Sequence, residues 1–302
     1  MAELKSPKIE PDRSGTVRPD DRHEIYWELH GPGGREALCL LNGLAMHTGS
    51  WNGMLPHLVD DHDVVLYDYL GQGRSTSRDE AVTIPQLGDF LIPILDQLEI
   101  DRLHLLGISY GGFVALDFAR RHQDRLHTLT LSGILLSREV LFDMYQDLSL
   151  RFYRAGPAGF DLYTPYMYEK IFGETFVRQA QPYLEKMRLA FHERYKDRVH
   201  SLIRLTEAQD PFFAELDANL PGYRSIRTPT LVLAGAEDRV ILPAVQRKIA
   251  DVLPNSRFEL IPDSGHVVYL EQTAVFFSWL RPFLAARAID FEPARPSRGH
   301  PR

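Results

Sequence analysis

Short apolar runs alternate along this chain with segments whose apolar residues return every three or four positions. The runs lie at 23–29, 37–41, 64–67, 103–106, 126–131, 230–234 and 258–261. Some are continuously apolar, as in Ala37-Leu38-Cys39-Leu40-Leu41, the pattern of a strand buried on both faces. Gly31-Pro32-Gly33-Gly34 ends the first run. Between the runs lie helical stripes. Ile84, Leu87, Leu91, Ile94, Leu95 and Leu98 share one face, with Thr83 placed to cap it and Pro93 placed to kink it. Val275, Phe276, Trp279, Leu280, Phe283 and Leu284 mark a last helix. Strand and helix in alternation predict an α/β fold, a mostly parallel sheet with helices on both faces.

One stretch breaks this rhythm. Residues 135–225 hold no buried-strand run but do hold helical stripes such as Leu184, Met187, Phe191 and Tyr195. They are rich in aromatics, among them Phe142, Tyr145, Phe152, Tyr153, Phe160, Tyr163, Tyr166, Tyr168, Phe172 and Phe176. A structureless loop of that length does not belong inside a compact domain. The stretch therefore reads as a helical cap, 135–225, inserted into a core made of 21–134 and 226–288. Most of its aromatics are needed to pack the insertion itself. Residues 1–20 and 289–302, polar and Pro-rich, read as a disordered N-terminus and a flexible C-terminal tail.

Composition narrows the function. The chain has 302 residues, 44% hydrophobic and 25% charged, which is ordinary for a globular protein large enough to need no disulfide or metal for its core. A net charge of −7 disfavours nucleic acid as a partner. The single cysteine, Cys39, sits inside an apolar run and reads as a buried thiol. No apolar stretch approaches the ~20 residues that span a bilayer. The first residues lack the apolar core of a secretory signal, so the expected location is the cytoplasm.

The chemistry centres on Gly107-Ile108-Ser109-Tyr110-Gly111. Chance alone supplies about 0.1 matches to G-x-S-x-G in a chain this long, so the context decides. Here a strand precedes the motif and a helix follows it, which is the setting of a nucleophilic serine on a sharp turn. Side chains at Gly107 and Gly111 would collide across that turn, and the helix points its positive end at the site. Serine at its normal pKa needs a base. Among 12 histidines His266 is the candidate, since it lies in the loop between the last strand run and the last helix. The base needs an acid to fix its tautomer. Asp238 follows the run 230–234 directly; Glu237 is its neighbouring rival and Asp263 a weaker one. Two oxyanion donors are expected: the backbone N–H of Tyr110, and that of Leu44 in Asn42-Gly43-Leu44-Ala45-Met46 after the run 37–41.

These residues resemble the α/β-hydrolase superfamily over about 22–288. Many members carry His-Gly-x at the oxyanion loop and Asp-x-x-Gly-x-Gly-x-Ser after the next strand. Here the two read Asn42-Gly43-Leu44 and Asp68-Tyr69-Leu70-Gly71-Gln72-Gly73-Arg74-Ser75, with Asn42 for His and Leu70 where Arg is common. The order Ser109, Asp238, His266 is also that of the family. The resemblance implies an eight-stranded, mostly parallel sheet with a helical cap between the sixth and seventh strands. A serine nucleophile argues against the haloalkane dehalogenase and epoxide hydrolase branches, which use aspartate. The expected activity is cleavage of carboxylic esters or lactones through an acyl-enzyme, without metal or organic cofactor, on an apolar or aromatic small molecule. Acyl transfer from the same site, carbon–carbon bond hydrolysis and cofactor-free perhydrolysis stand as alternatives.

Overall fold

The computed structural model describes residues 9–296; parts of both termini expected to be disordered, 1–8 and 297–302, lie outside the described residues. Its strands are β1 (Arg13–Val17), β2 (Ile25–His30), β3 (Ala37–Leu41), β4 (Asp63–Tyr67), β5 (Leu103–Ile108), β6 (Leu126–Ser132), β7 (Thr230–Gly235) and β8 (Ser256–Ile261). They form one sheet in the order β1-β2-β4-β3-β5-β6-β7-β8. β1 and β2, and β2 and β4, pair antiparallel; every other pair is parallel. The α/β expectation of an eight-stranded, mostly parallel sheet therefore holds.

Alternation along each strand separates two cores. Cys39, Leu41, Val65, Tyr67, Leu103 and Leu105 face one way; Leu38, Leu40, Val64, Leu66 and Leu106 face the other. Helices α1 (Ile84–Asp89), α2 (Leu91–Gln97) and α3 (Tyr110–His122) cover the first face. The stripe at 84–98 is thus two helices, broken at Phe90. Pro93 explains the position of the break: it has no N–H for the carbonyl of Asp89, and its ring crowds that carbonyl. Thr83 caps α1 through its side-chain oxygen, which accepts from Gln86 N at 3.2 Å. Cys39 is fully buried and its thiol is pushed well above the usual range by that burial.

Seven helices occupy the segment between β6 and β7: α4 (Val140–Arg154), α5 (Gly156–Ile171), α6 (Glu174–Gln179), α7 (Gln181–Tyr195), α8 (Val199–Glu207), α9 (Gln209–Ala214) and α10 (Leu216–Arg224). Tyr153, Phe160, Tyr163, Phe191, Tyr195 and Leu202 form a core of their own here. The segment is also rooted in the main core, where Phe113 of α3 meets Phe212 and Phe213 with ring centres 5.5 Å apart. After β7 come α11 (Pro243–Val252), α12 (Val268–Glu271) and α13 (Thr273–Ala286), the last covering the second face with Phe276, Leu280 and Phe283. Among the described residues no helix is long and apolar enough to cross a membrane.

Two expectations of disorder need correction. Residues 13–17 are not loose but pair with β2, where the Trp27 ring lies under Gly15 and supplies the packing the polar strand lacks. The C-terminal tail is held as far as Ala294: Phe291 is buried against Trp279 and Phe283, and Ala294 N donates to Ser278 O at 2.9 Å.

Candidate active site

Parallel pairing brings the C-terminal ends of β3, β5, β6, β7 and β8 to one edge of the sheet. Ser109 follows β5 directly and is held at φ 50°, ψ −123°, a region that side chains rarely adopt. The turn leaves no choice of neighbours. A Cβ on Gly107 would lie 2.4 Å from Gly111 O, and one on Gly111 would lie 2.3 Å from Leu41 O. Ser109 N donates to Ser132 O at 2.8 Å, which ties the turn to β6.

His266 sits in the loop after β8 and is 8% exposed; Asp238, after β7, is 2% exposed. The structure brings both to Ser109. Nε2 of His266 lies 2.9 Å from Ser109 Oγ, and Nδ1 lies 2.8 Å from Asp238 Oδ2. A carboxylate opposite Nδ1 makes that nitrogen the donor and leaves Nε2 to accept from the serine hydroxyl. Burial alone would push the imidazole down. Asp238, by charge and hydrogen bond, and then Glu271 outweigh it, so His266 is held above the ordinary histidine value. Asp238 is itself fixed: Oδ1 accepts from Val240 N at 2.9 Å and Ile241 N at 3.0 Å, and Oδ2 from Gln246 Nε2 at 2.9 Å.

The two rival acids lie elsewhere. Glu237 turns to the inserted helices and accepts from Glu174 N at 2.7 Å. Asp263 is exposed, on a turn at φ 52°.

The loop after β3 reaches the serine from the other side. A Cβ on Gly43 would lie 3.6 Å from Ser109 Cβ. Leu44 and Ala45 of this loop pack against the aromatic core of the inserted helices. Asn42 does not face the site. Its side chain is buried, donating from Nδ2 to Tyr67 O at 2.9 Å and accepting from Trp51 Nε1 at 2.7 Å, so it braces the loop from behind. Gln72 Nε2 adds a bond to Gly43 O at 3.2 Å. Asp68, of the second motif, accepts from Thr48 N and Arg74 N; burial pushes its pKa up to about 6.

A family model described as alpha/beta hydrolase fold matches residues 36–273. The chain belongs to the α/β-hydrolase fold family. It is similar to "Putative carbamate hydrolase RutD" of Variovorax paradoxus, at 27% identity over 89% of this chain and 99% of that one. It is similar to 3-oxoadipate enol-lactonase 2 of Acinetobacter baylyi, at 25% identity over 83% and 90%. Among solved structures, MGS-M2, an alpha/beta hydrolase enzyme from a deep-sea metagenome library, superposes with a TM-score of 0.77, covering 87% of this chain and 94% of the other at 24% identity. This last likeness bears on the fold.

Sequence reasoning did not find Gln246, Gly133 or Glu271. Gln246 bridges Asp238 and the backbone of Gly133, whose N–H donates to Gln246 Oε1 at 3.1 Å. Gly133, at φ 67°, lies against the His266 ring. Their importance comes from contacts between distant segments, and no local pattern marks them.

Proposed function

We propose that this chain is a serine hydrolase acting on carboxylic esters or lactones through an acyl-enzyme. The observation that carries this reading is the 2.9 Å approach of His266 Nε2 to Ser109 Oγ with Asp238 on the far ring nitrogen. Ser109 Oγ attacks the carbonyl carbon while His266 Nε2 takes the hydroxyl proton. Asp238 holds the Nδ1–H tautomer and balances the imidazolium. The N–H groups of Leu44 and Tyr110 receive the carbonyl oxygen as it becomes an oxyanion. His266 returns its proton to the leaving alcohol as the tetrahedral species collapses. A water then enters, gives a proton to the same nitrogen and bonds to the acyl carbon; the bond from that carbon to Ser109 Oγ breaks as His266 returns the proton to Oγ, and the acid leaves.

Relatives named as an enol-lactonase and a carbamate hydrolase support hydrolysis at a carbonyl centre. The inserted helices serve as a cap over the site. Their contact with Leu44 and Ala45, and the bond from His266 N to Ile171 O at 2.7 Å, support that role. Tyr145, which packs against the main core and beside the rings of Phe142 and Tyr166, favours an apolar or aromatic substrate group.

A graded panel of p-nitrophenyl esters and lactones tests the proposal, with Ser109→Ala beside the parent. Turnover by the parent and none by the variant is expected. Near-parental turnover by Ser109→Ala, or a parent that neither turns over esters nor reacts with a serine-directed phosphonate, rejects it.

A further inference from the structure

A second carboxylate bears on His266 through the backbone on either side of it. Glu271, on α12, accepts at Oε2 from Gly265 N at 2.9 Å and at Oε1 from Val267 N at 3.1 Å. Those two residues flank His266. The same Oε2 accepts from Gly173 N at 2.8 Å, in the junction between α5 and α6. His266 N donates to Ile171 O in that junction. The two backbones are so close that a Cβ on Gly265 would lie 2.6 Å from both Ile171 O and Gly173 N.

We infer that Glu271 is a positioning residue for the hydrolysis proposed above: it holds His266 in register with Ser109 and supplies a second negative charge to the imidazolium formed in turnover. The inference rests on Ser109 and His266 acting as nucleophile and base. Three N–H donors converge on this one side chain, which a carboxylate can satisfy because it offers acceptors only. A glutamine would turn its own NH2 towards at least one of them. The charge matters as well. Burial raises the Glu271 pKa, its three backbone bonds and His266 oppose that, and Glu271 in turn favours the charged imidazole.

Apart from Asp238, the other groups around His266 are committed elsewhere or carry no charge. Asp238 holds the ring from the β7 loop, while β5 and β6 present Ser109 and Gly133. On the junction side Arg239 donates to the carbonyls of Glu169 and Phe172, and Glu237 is taken by Glu174 N.

The test is the pH dependence of Ser109 labelling by a fluorophosphonate in the intact chain, in Glu271→Gln and in Glu271→Asp. Labelling of Glu271→Gln should be about ten- to a hundredfold slower, the scale of a sub-ångström misplacement of a base. Its pH midpoint should fall by about half a unit or more, as expected when a nearby opposite charge is removed. Glu271→Asp keeps the charge but cannot reach all three donors, so it should label slowly with the parental midpoint. A merely structural role would lower the melting temperature of Glu271→Gln and leave its midpoint in place, and that result overturns the inference. If Glu271→Gln does not fold, Glu271→Asp decides: a parental labelling rate overturns the inference, and a slower rate with the midpoint kept supports it. A parent that is not labelled at all removes the serine-hydrolase reading itself, and this inference with it.

Discussion

Adding one methyl group at residue 133 should disable the enzyme while leaving it folded. Gly133 follows β6 at φ 67°, and a Cβ there would stand 2.7 Å from His266 Cε1 and 3.0 Å from Nδ1. Ordinary contact begins near 3.4 Å, so one partner must yield by about 0.7 Å. The backbone is poorly placed to yield, since Gly133 N is bonded to Gln246 Oε1 and β6 is flanked by strands on both sides. The ring therefore moves, and it moves out of the geometry that Asp238 and Ser109 define. A displacement near 1 Å costs about 100-fold in rate, so Gly133→Ala should lose roughly ten- to a hundredfold in kcat with little change in KM. The left-handed backbone costs a further ~1–2 kcal/mol of stability for alanine. Gly34→Ala separates the two effects. Gly34 has φ 91° and nothing within 4 Å of its Cβ position, so that variant should lose stability alone and keep its turnover. Ester hydrolysis and thermal melts on both variants make the comparison. Parental kcat in a folded Gly133→Ala protein would refute the argument that this contact sets the position of the imidazole.

Asp238→Asn should lower kcat by about 10⁴-fold through the wrong histidine tautomer, whereas Glu237→Gln, whose partner is Glu174 N, should change it little. The reverse ranking in steady-state assays would mean that the acid is Glu237. Because His266 is held above the ordinary histidine value of about 6.5, the neutral base is lost as pH falls through a point above that value. A kcat/KM profile should therefore rise towards alkaline pH with its midpoint above about 6.5, and a midpoint below 6 would contradict the charge balance at the ring. Asn42→Ala strands the buried Tyr67 carbonyl and the Trp51 indole N–H. At about 1–3 kcal/mol for each unsatisfied group it should lower the melting temperature clearly, and an unchanged melt would show that the brace is dispensable.

What could be read in advance follows how local the determinants are. Seven strands announce themselves as apolar runs, β2 to β7 because their residues are buried on both faces, and the half-buried edge strand β8 through Phe258, Leu260 and Ile261. β1 does not, because Arg13-Ser14-Gly15-Thr16-Val17 is a polar edge strand whose apolar cover is Trp27 of its neighbour. Phe291 stands alone among prolines and charges, and only the Trp279–Phe283 surface of α13 gives it somewhere to go. Pro93 was legible as a disruption, yet the break falls at Phe90 because proline acts on the carbonyl four residues earlier. In the site, Ser109 carries its signature in the five residues around it. Asp238 and His266 are legible only by their place after strands. Glu271 looks in sequence like any solvated residue near a helix start, since the donors it serves include Gly173 in another segment.

The site also breaks local rules that the rest of the chain obeys, and in each case a neighbour compensates. Ser109 sits in a left-handed backbone conformation that a serine would leave if free; the glycines at 107 and 111 allow the turn, and Ser109 N is tied to β6. Asp238 is an anion in a dry place, which is unfavourable for a lone carboxylate; two backbone N–H groups, Gln246 and the imidazole replace its water. His266 belongs to a loop, where groups wander, and is fastened through Asp238, Ile171 O and the Glu271 clamp on its neighbours. Three side chains from three different loops can keep hydrogen-bond distance only if each loop is fixed independently of the others. Restraints of this kind are costly where nothing reacts, and their concentration at one sheet edge is an argument for chemistry there that does not depend on the G-x-S-x-G pattern.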